Sequence, residues 1–120
     1  MVWIRWGSLL MLLGVALGAF GAHGLRESLS AEARQTYQTG ALYHLVHALA
    51  LLAVGWISVL RPTDAVVRIA GWLFILGIVL FSGSLYALSL TGLRKLGLIT
   101  PIGGLAFLLG WLSLALAAGR

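Results

Sequence analysis

The sequence has no cysteine, only two prolines and only three acidic residues among its 120 positions, and 9% of it is charged. The absence of cysteine excludes a disulfide framework, a thiol nucleophile and a thiolate metal site. The scarcity of charge excludes an ordinary water-soluble domain, in which about a quarter of the residues are ionised. The acidic residues are Glu27, Glu32 and Asp64, and none lies inside a long apolar run. No membrane-buried carboxylate is therefore present to act as a metal ligand, general base or proton carrier.

What is present is hydrophobic: 61% of the chain. The charges fall in clusters that leave four uncharged intervals, 6–25, 35–60, 69–93 and 96–119, of 20, 26, 25 and 24 residues. A membrane-spanning helix needs about 20 mostly apolar residues. In lipid, backbone groups must be satisfied within the segment, so each interval reads as a helix. The run Trp6–Ala22 exceeds the ~7–15 residues of a secretory-signal core, so a retained first helix is expected. The net charge of +5 does not point to nucleic acid. The cations stand one or two at each boundary, where headgroups meet water, and not on one soluble face.

Local signals set the expected boundaries. Ser30 suits an N-cap, with Glu32 in the favoured first turn. Arg61-Pro62-Thr63-Asp64 ends one helix and caps the next. Gly92 suits a C-cap, and Thr100-Pro101 opens the last helix with a capping hydroxyl and a proline whose missing N–H does no harm. The expected fold is an all-α membrane protein, a single domain over 1–120. Its helices are near 3–23, 31–60, 65–90 and 97–118, arranged as an antiparallel up-down-up-down transmembrane bundle. Gly14, Gly18 and Gly21 on the first helix, with Gly83, Gly103 and Gly104 later, are expected to let helices approach closely. They would do so within the chain, in a homo-oligomer, or against a membrane-protein partner.

Antiparallel order makes the two membrane faces unlike. Trp3, Trp6, Trp56, Trp72 and Trp111 fall toward the face that carries the termini and read as an aromatic belt, with Trp111 lying deeper, where packing within the bundle is the alternative. Polar side chains fall toward the other face: His23, Tyr37, Tyr43, His44, His47, Ser82, Ser84, Tyr86, Ser89 and Thr100. Polar groups in hydrocarbon need partners, so these are expected to converge on a polar pocket opening toward that face. Arg5, Arg61, Arg68 and Arg120 on the terminal face balance Arg26, Arg34, Arg94 and Lys95 on the other, and the amino terminus tips both termini toward the cytoplasm.

His44 and His47, three apart on a helix, share a face, and His23 closes the preceding helix. Three imidazoles are the chain's candidate metal or haem ligands. The alternative is structural: neutral histidines bonded to tyrosine, serine or backbone. No metal, cofactor or catalytic residue is assigned. Ser82 and Ser84 flank Gly83 but have no acid to orient a histidine beside them.

Four blocks resemble one family. They are GAFGAHGL at 18–25, YQTGALYHLVHALALL at 37–52, AGWLFILGIVLFSGSLYALSLTG at 70–92 and TPIGGLAFLLGW at 100–111. In this order they are similar to the domain of unknown function 423 family, small bacterial inner-membrane proteins with the transmembrane protein 256 group as eukaryotic relatives. The resemblance covers nearly the whole chain. It implies four membrane helices in the bacterial plasma membrane, in contact with lipid, and carries no reaction, substrate or cofactor with it. The leading expectation is a non-enzymatic component that binds a lipid, small molecule or partner helix at the polar cluster. The alternatives are a metal- or haem-binding redox subunit and a small transporter or proton carrier.

Overall fold

The computed structural model describes residues 1–119, and the one cation beyond them, Arg120, lies outside the described residues. Among the described residues the chain is helical, with no strand. Helix α1 is Val2–His23 and α2 is Ala31–Leu60. Helix α3 is Ala65–Thr91, and α4 is Thr100–Ala118. A short 3₁₀ turn, Arg94–Leu98, leads into α4. All four helical segments are long and apolar enough to cross a membrane.

The termini of these helices have identifiable causes. The Ser30 hydroxyl accepts from the Ala33 N–H at 3.1 Å and starts α2. The Asp64 carboxylate accepts from the Val66 and Val67 N–H groups and starts α3. Gly92 ends α3 in the left-handed region at φ 73°, a conformation that costs glycine little. Thr100 departs from expectation. Its hydroxyl bonds Ser84 and is not a cap, so α4 starts with Pro101 in its first turn and no side-chain cap. Arg61 donates to the carbonyl of Ala117 and sits 3.7 Å from Asp64. One guanidinium thus joins the end of α2, the start of α3 and the end of α4.

Inside α3, Ile78–Ser82 forms one turn of π-helix. It lies where two neighbours press closest. A Cβ on Gly103 of α4 would collide with the backbone of Leu80 and Phe81. A Cβ on Gly40 of α2 would come within 3.3 Å of the Ser82 carbonyl. Such single-turn bulges redirect a helix at contacts of this kind.

Helices α2 and α3 are central: α1 packs on α2, and α4 packs on α3. The molecule measures 48 × 26 × 17 Å. Its length matches a bilayer with its headgroups, about 40–45 Å, and its cross-section is flattened. The core gathers Trp3, Leu51, Val54, Val67, Phe74 and Phe107 among others. Trp3 therefore departs from the expected belt: it is buried, edge-on to Trp72 at 5.3 Å, and lies over Gly71. Leu12, Val15, Leu105 and Leu108 face outward.

Candidate functional site

The polar residues of the spans form two hydrogen-bonded stations, one on each side of α2. In the first, His44 Nε2 lies 2.7 Å from the Leu10 carbonyl and Nδ1 lies 2.9 Å from the Tyr86 hydroxyl. A carbonyl only accepts, so Nε2 carries the proton. In the neutral ring, Nδ1 then accepts from Tyr86 O–H. The Tyr37 hydroxyl donates to the Leu17 carbonyl, and the Tyr37 and Tyr86 rings meet at 5.1 Å. His44 and Tyr37 are both buried. This station ties α2 to α1 and α3 together.

Glycine explains how two side chains reach backbone carbonyls inside an intact helix. The carbonyls belong to Leu10 and Leu17, and four residues on stand Gly14 and Gly21. A Cβ at Gly14 would lie 3.2 Å from the His44 ring. A Cβ at Gly21 would run into the Tyr37 ring, 2.8 Å from its Cδ1. Gly7 continues the series, with Leu51 Cβ 3.1 Å from where its own Cβ would be. The pattern is a heptad on both helices, 7, 14, 21 against 51, 44, 37.

The second station belongs to His47. Its Nδ1 lies 2.7 Å from the Tyr43 carbonyl, and its Nε2 accepts from the Trp111 indole N–H at 3.0 Å. Indole only donates, so His47 is neutral with the proton on Nδ1. Its tautomer is the opposite of that of His44. The His47 ring stacks on Phe107 at 3.5 Å and 8°. This station ties α2 to α4.

Ser84, Thr100 and Ser89 are bonded nearby. The Ser84 hydroxyl donates to the Phe81 carbonyl at 2.9 Å, so Thr100 donates to Ser84 at 2.6 Å. Ser89 donates to the Tyr86 carbonyl at 2.8 Å. Ser82 is fully buried in the π turn, and its hydroxyl has no partner among the described residues.

The structure sets several of the candidate residues apart from one another. His23 is exposed at the end of α1, and His44 and His47 direct their nitrogens elsewhere. The three imidazoles do not converge, and among the described residues no group of three His, Cys, Asp or Glu side chains is placed to hold a metal. Gly18 packs on nothing: its Cβ position has open space within 4 Å, because the contacting face follows a seven-residue repeat and not the 14–18 spacing. Gly83 is likewise open, with a single carbonyl 3.9 Å away, and Gly104 makes only ordinary contact with Phe81. Gly14, Gly21 and Gly103 are in close contact with neighbouring helices. Gly77 and Gly110 were missed: they receive the Phe107 and Phe74 rings across the α3–α4 seam. The signal for them was reciprocal spacing, Phe74-Gly77-Phe81 against Gly110-Phe107-Gly103.

The lateral recess beside the second station is a groove of about 670 Å³. Tyr43, His47, Phe81, Phe107 and Trp111 give it five rings, and Pro101, Gly104 and Leu108 also line it. Among the described residues no charged side chain lines it. The Tyr43 hydroxyl makes no hydrogen bond among the described residues, and Tyr43 is 41% exposed.

The family model described as "Protein of unknown function (DUF423)" matches residues 17–104. The UPF0382 membrane protein YwdK of Bacillus subtilis is 47% identical over 117 residues, covering 98% of this chain and 95% of that one. A UPF0382 membrane protein of Staphylococcus epidermidis is 48% identical over 116 residues, covering 97% and 93%. One of Haemophilus influenzae is 50% identical over 102 residues, covering 84% and 80%. No solved structure matches.

Proposed function

This chain belongs to the DUF423 family, and on that basis we propose that it is an up-down-up-down four-helix protein of the bacterial plasma membrane that binds a lipid-soluble molecule in its lateral groove and performs no chemistry of its own. The observation that carries the reading is how the polar groups are used. A metal or haem site needs an imidazole lone pair, and a proton carrier needs an imidazole able to gain and lose a proton. Both nitrogens of His44 and of His47 are engaged inside the bundle. The redox and proton-carrier readings would each have to break a tie between helices. The groove beside the second station is open to a ligand without breaking a tie, and its volume lies within the range of small-molecule sites, about 300–1,000 Å³.

The up-down order is supported by contacts whose numbers run in opposite directions: 7, 14, 21 against 51, 44, 37, and 74, 77, 81 against 110, 107, 103. Gly14, Gly21 and Gly103 are filled by this chain's own side chains and backbone, so the reading requires no second copy. Both termini lie in the cytoplasm in this reading, which reporter fusions at either end would check.

The test is native mass spectrometry of protein extracted with its own lipid, with metal analysis on the same sample. The reading predicts a neutral organic adduct, no stoichiometric metal, and loss of the adduct in Gly104→Leu, where the new side chain fills the groove. Stoichiometric metal or haem, or an adduct indifferent to Gly104→Leu, would contradict it.

A further inference from the structure

Resting on the reading of the groove as a binding site, we propose that its ligand is a neutral, lipid-soluble molecule with a planar carbonyl-bearing ring, of the quinone class. Three features of the groove lead there. The first is its walls. An acyl chain needs only aliphatic surface, but this groove presents five rings. His47 and Phe107 are stacked on each other at the back of the groove, and Tyr43 and Trp111, 41% and 44% exposed, present the open ring surface. Such exposed ring faces favour a flat, polarisable occupant, because offset stacking adds to what burial alone contributes.

The second feature is the absence of charge. With no lysine or arginine in the lining and His47 neutral, nothing offsets the desolvation of a phosphate or carboxylate. A phospholipid headgroup is disfavoured, and a neutral head is favoured.

The third feature is the Tyr43 hydroxyl. His47 and Trp111 use their polar atoms on each other and on the backbone, so buried His47 offers the groove no polar atom and Trp111 offers it only ring surface. Tyr43 keeps an unengaged O–H. It stands twelve residues into α2, about 18 Å from Ala31 along the axis, and past the polar first turns of that helix. A bare phenol at such depth costs free energy unless an acceptor reaches it. The described residues supply none, so the acceptor comes with the ligand. A ring carbonyl meets the stacking and the hydrogen-bond requirements together, and an isoprenoid tail can leave past Leu105 and Leu108, both exposed to lipid.

The experiment uses the full chain in phosphatidylcholine nanodiscs and a photoreactive azido-quinone bearing a short isoprenoid tail. Labelling is expected to saturate and to map to peptides around Tyr43–His47 and Pro101–Trp111. Excess unlabelled quinone should abolish it, and the same isoprenoid tail ending in an alcohol should not. Tyr43→Phe keeps the ring and removes only the donor, and is expected to weaken labelling about tenfold, the value of one hydrogen bond. Gly104→Leu should remove it; a Cβ there meets Phe81 at an ordinary 3.7 Å, and helical content and thermal unfolding check that the fold is retained. If the tail alcohol competes as well as the quinone, or Tyr43→Phe has no effect, the ring assignment is overturned while the groove remains a site for lipid-soluble molecules. If labelling does not saturate or maps elsewhere, both the ring assignment and the binding reading fall.

Discussion

His44 and His47 stand three residues apart, which on a helix leaves about 60° between their directions. The sequence therefore places them on one face, and that much was legible. It could not reveal that 60° is enough to send one ring toward α1 and α3 and the other toward α4, because that depends on where the neighbours cross. The consequence is testable by removing one donor at a time. Tyr86→Phe strips the proton donor from His44 Nδ1, and Trp111→Phe strips the donor from His47 Nε2. Each leaves an acceptor unpaired within a membrane span and should cost about 0.6–1.7 kcal/mol, the usual worth of such bonds in lipid. Unfolding in mixed micelles measures it. No change in either variant would mean that the imidazoles are not helix ties.

Glycines act at the scale of helices, and here sequence spacing misleads where contact geometry does not. Gly14 and Gly18 match a familiar small-residue spacing, yet only Gly14 meets a neighbour. The true repeat, Gly7, Gly14 and Gly21, becomes visible only beside Tyr37, His44 and Leu51 on α2, because a close approach needs both halves. Gly21→Leu drives a side chain into the Tyr37 ring and should destabilise by about 1–3 kcal/mol, as overpacking does. Gly18→Leu should be neutral. On α4 the contrast is sharper: Gly103→Ala meets backbone at Leu80 and Phe81, which cannot swing aside as a side chain can, whereas Gly104→Ala meets only the Phe81 ring at ordinary distance. Thermal unfolding in detergent should rank Gly103→Ala well below Gly104→Ala, and equal stability of the two would contradict the α3–α4 crossing described here. The π turn at Ile78–Ser82 was not legible at all. Its residues read as an ordinary apolar helix, and the close approach of Gly40 and Gly103 to its backbone shows only in the structure.

For the molecule as a whole, the four spans were legible from charge alone, since Arg, Lys, Asp and Glu avoid hydrocarbon strongly enough to bracket every helix. The flattened arrangement was not, because all four helices are apolar around much of their circumference and give no directional signal. The expectation of a shared polar pocket rested on the need of polar groups for partners. That need is met differently: in closed pairs that join helices, leaving an uncharged, ring-lined groove beside them. Both the ties and the open groove depend on two imidazoles that are neutral and in opposite tautomers. The direct measurement is nitrogen NMR of histidine-labelled protein in bilayers near neutral pH, assigned through His44→Gln and His47→Gln. The account predicts one ring protonated on Nε2, at His44, and the other on Nδ1, at His47, unchanged by added zinc. An imidazolium signal at either position, the same tautomer at both, or a shift on adding zinc would contradict it.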